Sequence, residues 1–143
     1  MTELRNISDH EQVTDVVMAL TRPSPHDSII ITGSESMQLY LSLRRRGLGR
    51  VATPATCRIP RQQHVIGVVT GQGLVAALSQ VSPFLSANST IAVLIESREA
   101  ESSMTIRQKL QQMGFRIEAG VRCQRGFVLF ASRRGFARME QAA

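Results

Sequence analysis

Three short apolar runs are the feature of this sequence that most limits its fold. They cover residues 28–32, 64–69 and 90–95, and each precedes a segment whose apolar residues recur at helical spacing. Uninterrupted runs of this kind are typical of strands that are buried on both faces of a parallel sheet. Strands that alternate with helices predict an α/β protein whose crossover connections are right-handed.

The composition is consistent with such a core and excludes several other classes of protein. The chain has 143 residues, of which 43% are hydrophobic, enough for one domain and too many for a disordered chain of this charge. No apolar run approaches the ~18 residues of a membrane-spanning helix. Two cysteines, Cys57 and Cys123, are too few for a disulfide framework. The polar, acidic N-terminal segment is unlike a signal peptide, so we expect a cytoplasmic protein.

The remaining elements are predicted from local patterns. Apolar residues at i, i+3, i+4 and i+7 predict an amphipathic helix over residues 8–21, which Ser8 would cap together with Glu11. A short strand is predicted over residues 50–53, followed by an irregular segment over 54–62.

The C-terminal part of the chain is predicted to end in a hairpin. Residues 87–89 have turn composition, and two long strands, over 115–123 and 127–132, are separated by only a short loop. We therefore expect one domain over residues 1–143, with the N-terminal helix, a core over 28–134 and a short tail over 135–143.

This order of elements resembles the class I S-adenosylmethionine-dependent methyltransferase family. The C-terminal third carries the resemblance best, in the segments TIAVLIES, IRQKLQQMGFRIEAGV and RGFVLFASRR. The segment IIITGSESMQLYLSLRRRG stands where the family's glycine-rich motif I belongs. The resemblance covers about residues 8–134. It implies a three-layer Rossmann-like α/β fold, with a mostly parallel sheet, a C-terminal antiparallel hairpin and S-adenosylmethionine as the cofactor.

Two parts of the sequence depart from the family's pattern. The family's turn has the approximate form acidic-x-G-x-G-x-G, but here only Gly33 matches, with Glu35 and Met37 at the next two glycine positions and Ile31 at the acidic one. The family's second strand ends in an acid that holds the ribose hydroxyls, whereas this one ends in Val51-Ala52-Thr53-Pro54. The chain also lacks room for one helix and one strand over residues 54–62. We therefore expect a shortened member with a degenerate cofactor site.

The candidate cofactor site lies in the turns that follow the predicted strands, where α/β sheets bind ligands. Its residues are Thr32, Gly33, Ser34, Glu35, Thr53, Thr70 and Gly71. The hydroxyl of Ser34 and the free N–H groups of the following helix could hold an anion. The same turns also have purely structural interpretations, because Thr32-Gly33-Ser34-Glu35 is a capping box and Thr70-Gly71-Gln72-Gly73 is a strand-to-helix turn.

A basic cluster is the second candidate site. The formal net charge is +6, and every basic residue except Lys109 is an arginine. The candidate anion-binding patch consists of Arg44, Arg45, Arg46, Arg50, Arg58 and Arg61. Such a patch can bind RNA or an anionic substrate. However, cations in the last turn of a helix also complement its dipole, and Tyr40 is the only aromatic residue near the cluster.

Other reactive residues give weaker indications. Cys57 lies among arginines that would lower the pKa of its thiol, and His64 could act as its base. Cys123 is expected in the core. His10 and His26 lack partners at metal-ligand spacing, so we expect no metal site. No catalytic acid or base stands out.

Three functions from different classes follow, in this order. The first is a non-catalytic binding or regulatory module that keeps the methyltransferase fold. The second is an active small-molecule methyltransferase with an atypical S-adenosylmethionine site, and the third is an RNA- or phosphate-binding domain that uses the arginine patch. We also expect the strand over residues 50–53 to lie near an edge of the sheet, where a second copy would cover it and form a homodimer.

Overall fold

The computed structural model describes residues 2–33, 36–54, 64–71, 73–96, 103–123 and 126–134, with side chains for all of these except 2–10 and 134. Helices and strands alternate along most of this length. In chain order the elements are α1 (Thr2–Thr21), β1 (Ile29–Gly33), α2 (Ser36–Arg45), β2 (Val51–Ala52), β3 (His64–Thr70), α3 (Leu74–Val81), a 3-10 turn (Ser82–Phe84), β4 (Leu85–Glu96), α4 (Ser103–Gln112), β5 (Arg116–Cys123) and β6 (Gly126–Arg134).

The strands form one six-stranded sheet in the order β2-β1-β3-β4-β6-β5. The first four strands of this order run parallel, and β6 is antiparallel to both β4 and β5. The sheet is therefore mostly parallel with a C-terminal antiparallel pair, as predicted. The short β2 lies at one edge, which confirms the predicted edge position of this strand.

Helices cover both faces of the sheet, which gives the predicted three layers. Ile29 and Ile31 of β1 pack with residues of α1 and α2, whereas Ile30 packs with residues of α3 and α4. Successive side chains of a strand point to opposite faces, and here both faces are covered. Burial on both sides explains why the apolar run in β1 is uninterrupted.

Two predicted boundaries were wrong. Helix α1 begins at Thr2, so Ser8 lies within the helix and is not its cap. Residues 87–89 do not turn but continue β4, where Asn88 pairs with Arg134 and Ser89 with Arg133. The long β6 supplies backbone hydrogen-bond partners to this polar stretch, and that pairing overrides its turn-like composition.

The predicted hairpin corresponds to β5 and β6, whose registers carry one irregularity between Ile117 and Ala119. A bulge of this kind bends an edge strand and disrupts pairing along it. No helix within the described ranges is both long and apolar enough to cross a membrane. The predicted tail over residues 135–143 lies outside the described residues.

Candidate functional site

A cleft of about 990 Å³ opens at the carboxyl ends of β1 and β2. Its walls come from the end of β1, the first turn of α2, the end of β2 and one side of α3. The described lining residues are Ile31, Thr32, Gly33, Ser36, Met37, Thr53, Pro54, Gly73, Ala76, Ala77, Ser79 and Gln80. A volume of this size is typical of small-molecule sites in α/β proteins.

The cleft brings together three of the predicted cofactor residues, Thr32, Gly33 and Thr53. Thr70 and Gly71 are buried nearby and are not among its described lining residues. The Thr70 hydroxyl has no hydrogen-bond partner in the described part of the chain. Ser34 and Glu35 lie outside the described residues.

Gly33 forms a close contact at the base of the cleft. Its φ is +119°, and a Cβ atom added here would lie 1.6 Å from the carbonyl oxygen of Thr70 on the neighbouring strand. A side chain at this position would clash with that carbonyl, and the backbone conformation itself favours glycine. The packing of β1 against β3 therefore explains this glycine without any ligand.

A polar pair connects the sheet to α3 within the cleft. The Thr32 hydroxyl is buried and donates a hydrogen bond to Oε1 of Gln80 over 3.1 Å. This bond uses the carbonyl side of the Gln80 amide, so the amide nitrogen is the group left to donate to a ligand. Thr32 and Gln80 thus place one amide donor beside the end of β1.

The described lining of the cleft carries no charged side chain. Its polar groups are the hydroxyls of threonine and serine and the amide of Gln80. Thr53 occupies the end of β2, where the resemblance to methyltransferases places an acid for the ribose hydroxyls. A single hydroxyl makes fewer and weaker hydrogen bonds than a carboxylate, which can accept two at once. The described residues therefore do not fit the ribose of S-adenosylmethionine.

Sequence reasoning missed the part of the cleft that α3 provides. Ala76, Ser79 and Gln80 line it, but they follow the candidate turn by several residues and form no recognised motif. The available signal was the outer side of α3, where small and amide side chains stand opposite the apolar Leu74 and Leu78.

Most of the predicted arginine patch that the structure describes makes contacts within the protein. Arg46 forms ion pairs with Asp15 and with Glu11, the latter over 2.5 Å, and Arg45 lies 3.5 Å from Glu11. Arg44 donates to the carbonyl oxygen of Gly49 over 3.0 Å. Two of these arginines therefore hold α2 against α1.

Glu11 is the centre of this contact between helices. It also accepts a hydrogen bond of 2.9 Å from the buried Ser42 hydroxyl. The hydrogen bonds from Arg46 and Ser42 hold the pKa of the Glu11 carboxyl below its usual value. The same bond to Glu11 raises the pKa of Arg46. Of the other predicted patch residues, Arg50 is exposed, and Arg58 and Arg61 lie outside the described residues.

The structure does not support the predicted thiol chemistry of Cys57 and His64. His64 is 5% exposed and lies at the start of β3, at the strand end opposite the cleft, with its ring 6.5 Å from that of Phe84. Burial lowers the pKa of this histidine. Cys57 lies outside the described residues. Within the described ranges no three potential ligands gather to hold a metal ion.

Similarity to known proteins is found in structure and not in sequence. No protein-family model matches the chain, and no curated protein is significantly similar to it. A SAM-dependent O-methyltransferase from Thermotoga maritima has a TM-score of 0.68 at 12% identity, covering 87% of this chain and 66% of that enzyme. The chain thus spans slightly less than two thirds of that enzyme.

The match to two further solved structures includes most of the length of each. The release-factor-specific protein-(glutamine-N5) methyltransferase from Alicyclobacillus acidocaldarius has a TM-score of 0.55 at 15% identity, over 88% of this chain and 92% of that one. The cyclase SpnF has a TM-score of 0.56 at 12% identity, over 88% and 81%. These likenesses agree with the observed strand order and antiparallel end, and the chain has the class I S-adenosylmethionine-dependent methyltransferase-like Rossmann fold.

Proposed function

We propose that this chain is a binding or regulatory module that has kept the methyltransferase fold without methyl transfer. Its ligand is a neutral small molecule, bound in the cleft between β1, β2 and α3. The observation that carries the proposal is that the described lining of that cleft has no charged side chain and offers hydroxyl groups, one amide and small apolar side chains.

The chemistry of the cofactor supports this choice. S-adenosylmethionine carries a sulfonium cation, a charged amino-acid end and two ribose hydroxyls, and transferring such charges from water is costly without paired groups. The described lining supplies no carboxylate for the ribose. A neutral ligand with hydroxyl or amide groups would bond to the Ser36 hydroxyl and the Gln80 amide without that cost. SpnF is named a cyclase, and a neighbour of that name supports the view that the fold serves more than methyl transfer.

The second candidate is an active small-molecule methyltransferase with an atypical cofactor site. The structural likeness to an S-adenosylmethionine-dependent enzyme favours it. In that case Gly33 and Thr53 would contact the cofactor together with residues outside the described ranges.

The predicted homodimer also remains a proposal, and solution scattering across a range of protein concentrations tests it.

Calorimetric titration with S-adenosylmethionine and S-adenosylhomocysteine separates the two candidates. The test needs a variant that fills the cleft without disturbing the β1–β3 contact. Ala76→Phe does so, because Ala76 is exposed on α3 and lines the cleft. Ala19→Phe is the matched control, because Ala19 is exposed on α1.

We expect no saturable heat from either cofactor at millimolar concentration. Ligand-observed NMR with neutral hydroxyl- and amide-bearing fragments should instead give signals that Ala76→Phe removes and Ala19→Phe keeps. Micromolar binding of S-adenosylmethionine that Ala76→Phe abolishes would replace the proposal with the active enzyme.

A further inference from the structure

A second cavity, of about 540 Å³, opens at the same edge of the sheet as the cleft. It lies between the first turn of α4 and the ends of β4, β5 and β6, on the far side of the sheet from β2. Its walls include Ser103 and Arg107 of α4, Arg122 of β5 and Phe127 of β6. It shares no described lining residue with the cleft.

The described lining of this cavity is basic, whereas that of the cleft is uncharged. Two guanidinium groups, those of Arg107 and Arg122, face one carboxylate in the described lining, that of Glu96. Arg107 bonds to the Ser103 hydroxyl over 3.4 Å, and the ion pairs between described residues involve neither arginine. An anionic group that enters the cavity would therefore meet two guanidinium groups that form no ion pair with a described residue. Guanidinium groups bind phosphate with paired hydrogen bonds.

The cavity also contains a fixed aromatic ring. Phe127 is partly buried, and its ring lies over Gly120 of the adjacent strand, where an added Cβ would lie only 2.2 Å from the ring atom Cζ. Gly120 thus makes room for the ring, and Phe127 lines the same cavity as the two arginines. An aromatic side chain next to arginines is the combination that proteins use to stack a nucleobase and bind its phosphate.

A second groove lies beside the cavity, along α4 and the start of β5. This groove of about 720 Å³ is also lined by Arg107 and adds Arg116, at the other end of β5. Arg116 pairs with Ser132 and Arg122 with Phe127, and the bulge between Ile117 and Ala119 puts these two pairs on opposite faces of the sheet. Of the two β5 arginines, only Arg122 therefore shares the face of the sheet on which Phe127 and α4 lie.

We infer that this cavity is a nucleotide-binding site, in which Arg107 and Arg122 hold the phosphate and Phe127 stacks with the base. The first turn of α4, with Ser103, adds the favourable end of a helix dipole to the same position. The nucleotide is either free or part of single-stranded RNA. Both sources present the same base and phosphate to the cavity.

Two titrations of the full chain distinguish these sources. Calorimetry with adenosine 5′-monophosphate tests the free nucleotide, and fluorescence anisotropy with a fluorescein-labelled twelve-nucleotide oligouridine tests the single strand. Saturable binding of the mononucleotide equal to that of the oligomer supports the free form. Binding of the oligomer that is much tighter supports RNA. Binding of neither ligand at millimolar mononucleotide and micromolar oligomer overturns the inference.

The key variant is the double substitution Arg107→Gln/Arg122→Gln, because Arg122 is exposed, Arg107 is only half-buried, and neither forms an ion pair with a described residue. We expect it to weaken binding at least about tenfold, since each lost charge-assisted hydrogen bond has an effect of that order. For the oligomer, the slope of log K against log salt should become shallower by about 1.4, because two phosphate contacts are lost.

A matched control removes the same charge elsewhere. Arg44→Gln/Arg50→Gln lies on α2 and before β2, within the other arginine patch. We expect it to leave binding within about twofold, and an equal loss in both double variants would overturn the site in favour of general attraction to a basic protein. Binding should also protect the Cys123 thiol, which lines the cavity, against alkylation. Unchanged alkylation at saturation would place the ligand elsewhere.

The role of the ring has its own readout. Ribose 5-phosphate carries the phosphate without a base, so it should bind more weakly than adenosine 5′-monophosphate. Equal affinity for the two would overturn the stacking role assigned to Phe127. This comparison uses the unaltered protein and does not depend on a Phe127 variant, which would disturb the contact with Gly120.

Discussion

Two cavities lie at the carboxyl edge of the sheet, and the described residues that line them differ in charge. The described residues that line the cleft beside β1 and β2 are uncharged, whereas the cavity between α4 and the β5–β6 pair contains Arg107 and Arg122. Both form where neighbouring strands end, as expected for an α/β sheet. The fold therefore decides where ligands can enter, and the few side chains at each strand end decide which ligands they are.

Each cavity also has a glycine that allows two strands to approach closely. A Cβ at Gly33 would lie 1.6 Å from the carbonyl oxygen of Thr70, and one at Gly126 would lie 2.1 Å from that of Ile95. These glycines are required by the packing of the sheet. In this chain a glycine at a strand end is therefore weak evidence for a ligand, and the charge of the lining is more informative.

The largest effect is expected from Gly33→Ala. The new methyl group would overlap the Thr70 carbonyl and force β1 away from β3, so we expect a loss of about 4 kcal/mol in the free energy of unfolding, or no folded protein. Urea denaturation measures it. Gly47→Ala is the control, because Gly47 also has a positive φ, of +92°, but nothing lies within 4 Å of its added Cβ. That variant should lose only about 1 kcal/mol. Equal losses in the two variants would show that β1 and β3 are not in close contact at Gly33.

The same features show how far the sequence alone can predict this molecule. The three isoleucines of β1 are buried on both faces of the sheet, which requires an uninterrupted apolar run, so the buried parallel strands were predictable from the sequence. Thr32 and Gly33 were predictable site residues because they follow such a strand. Gln80 was not, since 48 positions separate it from Thr32 and only the packing of α3 on β1 brings the two together.

The arginines show that a cluster in the sequence can mislead and that a cluster in the structure can be missed. Arg44, Arg45 and Arg46 form a conspicuous cluster in the sequence, yet Arg46 and Arg45 pair with Glu11 of α1. Arg107 and Arg122 are fifteen positions apart and attract no notice, yet the structure places them in one cavity. Local spacing predicts the face of a helix, but it carries no information about which distant acid neutralises a charge.

An intermediate effect on the free energy of unfolding is expected from Arg46→Gln, which removes an arginine that forms ion pairs, when it is compared with Arg122→Gln, which removes an arginine of the cavity. Arg46→Gln should lower the free energy of unfolding by about 1 kcal/mol, because it breaks two partly exposed ion pairs between α1 and α2. Arg122→Gln should change it by less than about 0.5 kcal/mol, because Arg122 makes no ion pair with a described residue. Thermal and urea unfolding of both variants measure this difference. A loss for Arg122→Gln as large as that for Arg46→Gln would mean that the cavity arginines are structural.

A smaller effect should appear in the dependence of stability on pH. Hydrogen bonds from Arg46 and Ser42 lower the pKa of Glu11 in the folded protein below its ordinary value of 4.5. The resulting stabilisation is present above pH 4.5 and is lost as the pH falls through the folded pKa, because the unfolded chain takes up the proton first. The stability difference between the unaltered protein and Arg46→Gln should therefore shrink below pH 4.5.

Between neutral pH and pH 5 both of these proteins should lose stability in parallel. Burial lowers the pKa of His64, so the unfolded chain binds a proton near the ordinary value of 6.5 while the folded protein does not. This loss is independent of Arg46 and serves as an internal reference. A gap between the two proteins that stays constant down to pH 3 would show that Arg46 does not act through Glu11.

The smallest expected effect is the coupling between the two cavities. They share no described lining residue, and substitutions at separate sites usually contribute additively to within about 0.5 kcal/mol. Ala76→Phe in the cleft should therefore leave nucleotide binding unchanged, and Arg107→Gln/Arg122→Gln should leave neutral-fragment signals in the cleft unchanged. The two sets of substitutions combined should give the sum of the separate effects on binding and unfolding. A coupling free energy above about 1 kcal/mol would mean that a ligand in one cavity changes the affinity of the other cavity for its ligand. The two cavities would then act as one regulated site and not as two independent sites.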